Sequence, residues 1–289
     1  MDMPRSALGP HVESWHPDAV ADTDELTPEP VAAMSALFGE HEAVAMAGDR
    51  LPPLWHWLYF LRWPAQQDLG DDGHPRHGPF LPPIPDRQRM FAGGRCQIIE
   101  PLRLGERVRR VSSLNTVTVK QGKTGELLFV TVRSEYGHNG RICLVEEQDI
   151  VYRSGRSTDR YMPDLHTTMP PRSDEPLQLP LRPDPTLLFR FSALTANAHR
   201  IHYDAPYAQM EEGYPGLVVH GPLLVLAMLE LVRRNAPDRC VRSLSYRLRR
   251  PAFLGEHLLA SGRQADGRAT MRVGSDRELQ HATAEVVFA

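Results

Sequence analysis

One short stretch of the sequence holds most of the groups that could do acid–base chemistry. Residues 191–204 read Phe-Ser-Ala-Leu-Thr-Ala-Asn-Ala-His-Arg-Ile-His-Tyr-Asp, which brings Asn197, His199, His202 and Asp204 close together along the chain. An imidazole titrates near neutral pH and moves protons, and an amide holds a water molecule through hydrogen bonds. The pattern favours acid–base chemistry on a bound water.

Three other interpretations of this stretch compete with acid–base chemistry. A capped helix start with solvent-exposed histidines uses the same residue types. His199, His202 and Asp204 could ligate a metal, because histidines three residues apart share a helix face, but no fourth ligand is evident and no metal is predicted. A serine nucleophile finds no support, since Ser192 lies outside any Gly-x-Ser-x-Gly pattern.

A second motif, His220-Gly221-Pro222, lies at the start of an apolar run. Proline in the first turn predicts a helix here, and a glycine at its N-terminus offers a backbone N–H with no intrahelical acceptor and the helix dipole behind it. Such a donor stabilises an enolate oxygen. A packing role for Gly221, which has no side chain, explains the same residue equally well.

The remaining sequence predicts the elements that must position these groups. Thr27-Pro28 begins a helix that ends at Gly39, and the helix from Pro222 is apolar on every side of its first turns, so we expect it to be buried. Residues 70–85, rich in Gly and Pro, predict a long loop, either a lid or a partition, with His74 and His77 in solvent. Strands are predicted over 95–100, 106–119, 126–136 and 141–152, from 186 onward, and near 240–250, 257–262, 268–274 and 280–288.

A short repeat organises these elements. Pro-x-x-Leu-Gly-Glu occurs at 101–106 and again at 251–256, 150 residues apart, and each copy opens a set of strands. We interpret the chain as two copies of one α+β domain, each an antiparallel sheet around a central helix. The predicted boundaries are 27–155 for the first copy, 156–184 for a linker and 185–289 for the second copy.

Composition excludes several classes of protein. The chain has 289 residues, a formal charge of −3, 41% hydrophobic and 24% charged residues, values that are ordinary for a globular protein and unlike a binder of nucleic acid or anionic membranes. Three cysteines are too few for a disulfide framework, and neither a signal peptide nor a membrane span is evident. Arginine supplies nearly all of the basic residues, which is typical of a GC-rich bacterial genome. We expect a cytoplasmic protein.

The two motifs resemble those of the MaoC-like, R-specific enoyl-thioester hydratases and dehydratases. The similarity extends over residues 51–57, 78–83 and 89–94 and is greatest to the branch that includes itaconyl-CoA and mesaconyl-C4-CoA hydratases and mitochondrial-type 3-hydroxyacyl-thioester dehydratases. This resemblance implies a tandem double hotdog without a metal or redox cofactor. It also implies a first copy that is non-catalytic and makes room for the acyl group.

The resemblance implies roles for the site residues. Aligning the family motif Asp-x-Asn-Pro-Ile-His on His202 puts Asn197 at the aspartate position and His199 at the asparagine position. His202 is then the general acid/base, Asn197 holds the water and Gly221 N–H forms the oxyanion hole. Asp204 is expected to orient His202. An amide cannot accept a proton as a carboxylate does, so Asn197 departs from the family pattern.

The substrate that the resemblance implies is an α,β-unsaturated acyl thioester of coenzyme A or acyl carrier protein, best represented by itaconyl-CoA or mesaconyl-C4-CoA. The candidate substrate-binding residues are Arg200, His199, His220, Arg89 and Trp57, and Arg87 is a further candidate for a distal carboxylate. Alternative functions are a fatty 3-hydroxyacyl-thioester dehydratase, a non-catalytic acyl-CoA-binding hotdog and a thioesterase. Whether two chains form a homodimer stays open.

Overall fold

The computed structural model describes residues 7–122, 125–155, 162–163, 165 and 169–289. Its helices are α1 (Gly9–Val12), α2 (Pro28–Leu37), α3 (Pro185–Leu194), α4 (Ala205–Met210) and α5 (Gly221–Asn235), with 3-10 turns at Trp55–Leu58, Gln66–Asp68 and Arg200–His202. Its strands are β1 (Val20–Glu25), β2 (Arg87–Ile98), β3 (Arg107–Gly122), β4 (Gly125–His138), β5 (Arg141–Ser154), β6 (Leu177–Leu181), β7 (Val241–Leu248), β8 (Leu258–Ala265), β9 (Arg268–Gly274) and β10 (Ala282–Phe288).

The ten strands form one antiparallel sheet in the order β1-β3-β4-β5-β2-β7-β10-β9-β8-β6. Each half of this order follows the same path when it is read from its outer edge: the first strand of the half, then its third, fourth, fifth and second. The two second strands, β2 and β7, pair with each other at the centre of the sheet. One sheet therefore contains two sets of strands with the same connectivity.

The repeated turn adopts one conformation in both halves. Gly105 and Gly255 have positive φ angles of 87° and 89°, which glycine adopts without the clash that a Cβ causes. In the first copy the Glu106 carboxylate accepts a hydrogen bond from Arg103 N (3.3 Å), and in the second the Glu256 carboxylate accepts one from Phe253 N (2.7 Å). The motif encodes a local turn that precedes β3 in one half and β8 in the other.

The two halves differ in their central helix. In the C-terminal half, α5 is almost fully buried and packs on β6, β8, β9 and β10. In the N-terminal half, the position that corresponds to the start of α5 carries a single 3-10 turn, Trp55–Leu58. The prediction of a central helix in each copy is therefore wrong for the first copy, where Pro52-Pro53 precede this short turn.

Two predicted boundaries also need correction. The segment from 186 is not a strand but α3, because Asp184 accepts a hydrogen bond from Leu187 N as its N-cap and Pro185 occupies the first turn. The predicted linker, 156–184, contains β6, which pairs with β8; part of that linker lies outside the described residues. The first half likewise begins before residue 27, since β1 pairs with β3.

One hydrophobic core joins the two halves. Its cluster includes Leu26, Trp55 and Leu144 from the N-terminal half and Leu226 and Val286 from the C-terminal half. Burial of this shared apolar surface holds the halves together. In the part of the chain that is described, no helix is long and apolar enough to cross a membrane.

Candidate active site

Residues 191–204, which we call the acid–base stretch, begin in the last turn of α3 and continue beyond its end. Asn197 N donates to Ser192 O (2.8 Å) and Ala196 N donates to Ala193 O (3.4 Å). These two bonds form a Schellman motif, which ends a helix with one residue in the left-handed conformation. That residue is Ala196, whose φ is 49° although it has a side chain. The turn directs the chain away from α3 and places Asn197 and His199 at its exit.

His202 is the buried imidazole of the site. Its side chain lies in the 3-10 turn Arg200–His202, is only 7% exposed, and has Nδ1 2.8 Å from Val218 O. A carbonyl oxygen only accepts hydrogen bonds, so Nδ1 carries the proton in the neutral ring and Nε2 is left as a base. No hydrogen bond to Nε2 is found among the described residues.

Four histidine rings lie in sequence, and we call them the imidazole row: His74, His199, His202 and His220. Successive ring centroids are 4.2, 5.6 and 3.6 Å apart, and the rings of His202 and His220 are stacked. Exposure falls along the row, from a side chain that is 22% exposed at His74 to full burial at His220. The row leads from the surface to the interior.

Burial keeps the inner part of the imidazole row neutral. Desolvation lowers the pKa of His202 to about 4, aided by the charge of His74 and opposed by the hydrogen bond to Val218. Desolvation and the charges of His74 and His202 lower the pKa of His199 to about 2. The pKa of His220 lies well below its usual value for the same reason. At neutral pH, His202 is therefore in its basic form.

Gly221 and His220 form the helix end of the site. The Ser192 hydroxyl and His220 Nε2 are 2.8 Å apart, while His220 Nδ1 is buried without a partner among the described residues. Gly221 is the first residue of α5, where N–H groups have no intrahelical acceptor. A Cβ on Gly221 would lie 2.3 Å from Leu248 Cδ1, so any side chain here would have to displace the end of Leu248. Both sequence interpretations of Gly221 are compatible with this geometry.

A loop from the N-terminal half, residues 70–78, covers the acid–base stretch; we call it the docked loop. Arg200 donates to Asp72 O from its backbone N–H and to Asp71 O from its guanidinium, each at 2.9 Å. Gly73 approaches so closely that an added Cβ would lie 1.9 Å from Ala198 O. The loop is thus held against the segment that carries His199 and His202.

The docked loop brings an Asp–His pair into the site. Asp72 accepts from His74 N (2.9 Å) through one oxygen and lies 3.0 Å from His74 Nδ1 through the other. The expectation that His74 is solvated is therefore wrong: its ring is held by Asp72 and contacts His199. The Asp-x-His spacing with an intervening glycine was the only local signal of this pair, since its neighbours lie far away in sequence.

Asp204 does not meet His202 as expected. Its carboxylate caps α4 through Tyr207 N (3.1 Å) and pairs with the Arg200 guanidinium at 2.7 and 2.9 Å. Arg200 is in turn held by Asp204 and the docked loop and lies over the ring of Tyr207. Asp204 and Arg200 therefore have structural roles in the described contacts. They pair because side chains four residues apart on a turn face each other.

Two further candidates, Trp57 and Arg89, do not belong to the imidazole row. Trp57 donates its indole N–H to Glu146 (2.7 Å) and contacts the rings of Phe91 and Tyr246, so its described contacts do not include the imidazole row. Arg89, on β2, is exposed, and its positive charge contributes to the lowered pKa of His199. The structure therefore brings Arg89 near the imidazole row and leaves Trp57 in this aromatic cluster.

Asp72, His74 and His199 offer one ligand atom each within 4.8 Å of one another. Two imidazoles and a carboxylate are a donor set that transition metals accept. The sequence predicts no metal, and both oxygens of Asp72 already face N–H groups of His74.

Solved structures identify the fold of the chain. The MaoC-like dehydratase from Phytophthora capsici aligns with a TM-score of 0.66 at 11% identity, over 97% of this chain and 98% of that one. HtdX of Mycobacterium tuberculosis aligns with a TM-score of 0.62 at 16% identity, over 93% of this chain and all of that one. The fold is that of the MaoC-like hotdog dehydratases. Its buried imidazole beside a helix N-terminus suits a hydro-lyase.

The chain belongs to the hydroxyacyl-thioester dehydratase type 2 family, whose family model matches residues 54–254. It is 46% identical over 231 residues to the mesaconyl-C4-CoA hydratase of Chloroflexus aurantiacus, covering 80% of this chain and 81% of the relative. It is 27% identical over 265 residues to the mitochondrial hydroxyacyl-thioester dehydratase type 2 of Schizosaccharomyces pombe, covering 81% and 87%. The chain is therefore an enzyme of the hydratase/dehydratase class.

Proposed function

We propose that this enzyme adds water reversibly to the double bond of a short dicarboxylyl thioester, with mesaconyl-C4-CoA as the best candidate and itaconyl-CoA as the next. The observation that carries the proposal is His202, a buried neutral imidazole whose Nδ1 is held by Val218 O and whose Nε2 is a free base beside the start of α5. The 46% identity to a mesaconyl-C4-CoA hydratase supports the choice of substrate.

In the proposed reaction, Asn197 holds the water and His202 moves its proton. Asn197 Oδ1 accepts from His199 N (3.0 Å), which leaves the Nδ2 donors to hold the water oxygen. As the hydroxyl adds to the β-carbon, the water proton passes to His202 Nε2 and the π electrons move onto the thioester oxygen. Gly221 N–H stabilises this enolate. His202 then returns the proton to the α-carbon, so the step needs no cofactor.

We further propose that the chain is a tandem double hotdog whose first copy has lost chemistry. The matched strand orders and the repeated turn support this duplication. Leu51 N bonds to Leu102 O as Val219 N bonds to Ala252 O, each at 2.8 Å, which makes Pro53 the counterpart of Gly221. Proline has no N–H, so the first copy lacks an oxyanion donor at that position. Its missing helix leaves space for the acyl group.

The same proposal includes the carrier of the acyl group and the compartment in which the enzyme acts. A coenzyme A or acyl carrier protein thioester is its substrate, and the bacterial cytoplasm is where we expect it to act. The family and the relative in Schizosaccharomyces pombe favour one second candidate, the dehydration of 3-hydroxyacyl thioesters of fatty chains. That reaction runs the same chemistry in reverse on another acyl group.

The test is turnover of a panel of thioesters, followed by the absorbance of the conjugated double bond. The panel contains mesaconyl-C4-CoA, itaconyl-CoA, crotonyl-CoA and octenoyl-CoA. We expect wild type to hydrate the first most efficiently and His202→Ala to lose about a hundredfold or more in kcat, as general acid–base catalysis predicts. Equal rates for His202→Ala and wild type would contradict the mechanism, and release of free thiol would indicate a thioesterase. Binding of the thioesters without turnover by wild type would indicate a non-catalytic hotdog.

A further inference from the structure

Basic groups lie near His199, toward the outer end of the imidazole row, together with the carboxylate of Asp72. The ring of His74 lies 4.2 Å from that of His199, and the charges of both His74 and Arg89 disfavour a proton on His199. The guanidinium of Arg200 is held by Asp204 and the docked loop. His74 and Arg89 are therefore the basic groups that this side of the site can offer to a ligand.

The pairing with Asp72 prepares His74 to bind an anion. Because the carboxylate lies against Nδ1 and the backbone N–H of His74, it fixes the orientation of the ring. The other ring nitrogen, Nε2, has no hydrogen-bond partner among the described residues. The side chain is 22% exposed, so a small ligand can reach it.

The order of the groups along the site indicates which part of the substrate lies beside His74. The N-terminus of α5 marks the thioester oxygen, and His202 Nε2 marks the β-carbon, because the base activates the water that adds to this carbon. His199 and His74 continue the imidazole row beyond His202, away from His220, the residue that precedes Gly221. The group that faces His74 is therefore a substituent of the β-carbon.

We propose that His74, oriented by Asp72 and assisted by Arg89, binds a carboxylate attached to the carbon that receives the hydroxyl group. This inference rests on the proposed hydration and adds the position of the charge. In mesaconyl-C4-CoA the thioester is at C4 and the free carboxylate is on C2, which is the β-carbon. A charge-assisted hydrogen bond to a carboxylate gives both affinity and orientation.

The test compares substrates that differ only in this carboxylate. Mesaconyl-C4-CoA is matched with 3-methylcrotonyl-CoA, in which a methyl group replaces the carboxylate, and kcat/KM is measured for both in the presence of a chelator. We expect His74→Leu to lower the ratio of kcat/KM for the carboxylate substrate to kcat/KM for the neutral substrate by about tenfold or more, mainly through the KM of the carboxylate substrate. Arg89→Gln should act in the same direction. His77→Leu, at an exposed position of the same loop, is the matched control.

A binding measurement keeps the test independent of turnover. Calorimetry with the saturated analogues methylsuccinyl-C4-CoA and isovaleryl-CoA should show that His74→Leu weakens only the first. Equal losses on both members of a pair, or no loss on either, would overturn the inference, as would selectivity that disappears with chelator and returns with Zn²⁺. A wild type that hydrates crotonyl-CoA but shows no preference for the carboxylate refutes this subsite alone. A wild type that hydrates no thioester refutes the proposed function instead.

Discussion

Asn197 shows how an amide can serve where a hydratase motif has an aspartate. Its Oδ1 is already used by His199 N, so the side chain offers donors to a water and not a second base. Burial lowers the pKa of His202 to about 4, and no carboxylate among the described residues bonds to its ring to oppose this. A single imidazole that stays neutral across the physiological range is therefore the base of the proposed mechanism.

Replacing Asn197 by aspartate should change the pH dependence of this base. A carboxylate near His202 stabilises the imidazolium and raises its pKa. Because the active form is the neutral ring, the acid limb of kcat/KM should move from near pH 4 toward neutral pH in Asn197→Asp. Profiles between pH 4.5 and 8 measure the shift, with Asn197→Ala as the control that removes the amide without adding charge. An unchanged acid limb would place Asn197 away from His202.

At the scale of elements, the site depends on a close approach between a loop and a helix end. The docked loop reaches the acid–base stretch through two hydrogen bonds to Arg200 and through Gly73, which has a φ of 89°. The turn after α3 carries its own strain at Ala196. Neither segment is regular secondary structure, yet together they position three of the four rings in the imidazole row.

Gly73→Ala tests whether this approach matters for activity. The added Cβ would clash with Ala198 O, so the loop must move, and displacement of a positioned group costs up to about a hundredfold in rate. Gly48→Ala is the matched control: its φ is also 89°, but nothing lies within 4 Å of the added Cβ. Both variants should lose about 1–2 kcal/mol of stability from the backbone strain. Only Gly73→Ala should also lose kcat/KM on mesaconyl-C4-CoA, and similar activities would argue against a docked loop.

At the scale of the whole molecule, the two halves share one sheet and the main hydrophobic cluster, while each half also has a smaller cluster of its own. Gly93 and Gly94 on β2 meet Tyr246 and Arg247 on β7, and a Cβ on Gly94 would lie 2.4 Å from the Tyr246 hydroxyl. A glycine at position 94 leaves room for the aromatic side chain of Tyr246, which fills the space that a Cβ would need. Since apolar side chains of both halves pack into the main cluster, neither half buries that cluster alone.

Gly94→Ala should therefore destabilise both halves together. Overpacking of a buried contact costs about 1–3 kcal/mol, which lowers the melting temperature by several degrees in a chain of this size. Calorimetry should show one transition that moves as a unit. Gly216→Ala, where the added Cβ meets nothing within 4 Å and φ is not left-handed, should melt as wild type does. Separate transitions for the two halves would contradict a shared core.

The sequence by itself determined the features that depend on neighbours along the chain. Proline and a following apolar run predicted α5 with Gly221 at its start, alternation predicted most of the strands, and a four-residue match predicted the repeated turn. Local hydrogen bonding and side-chain periodicity depend on residues that are neighbours in sequence, so the sequence alone predicts such elements. The family resemblance, which the family model confirms, also came from short motifs.

Only the tertiary structure decided which distant groups meet. It placed His74, from the N-terminal half of the chain, against His199, and it brought the docked loop to the Arg200 guanidinium. It also left the first copy without a central helix, because its two prolines and aromatic side chains pack as a short turn in the shared core. Such outcomes depend on the packing of surfaces that are more than a hundred residues apart, and a local pattern carries no information about them.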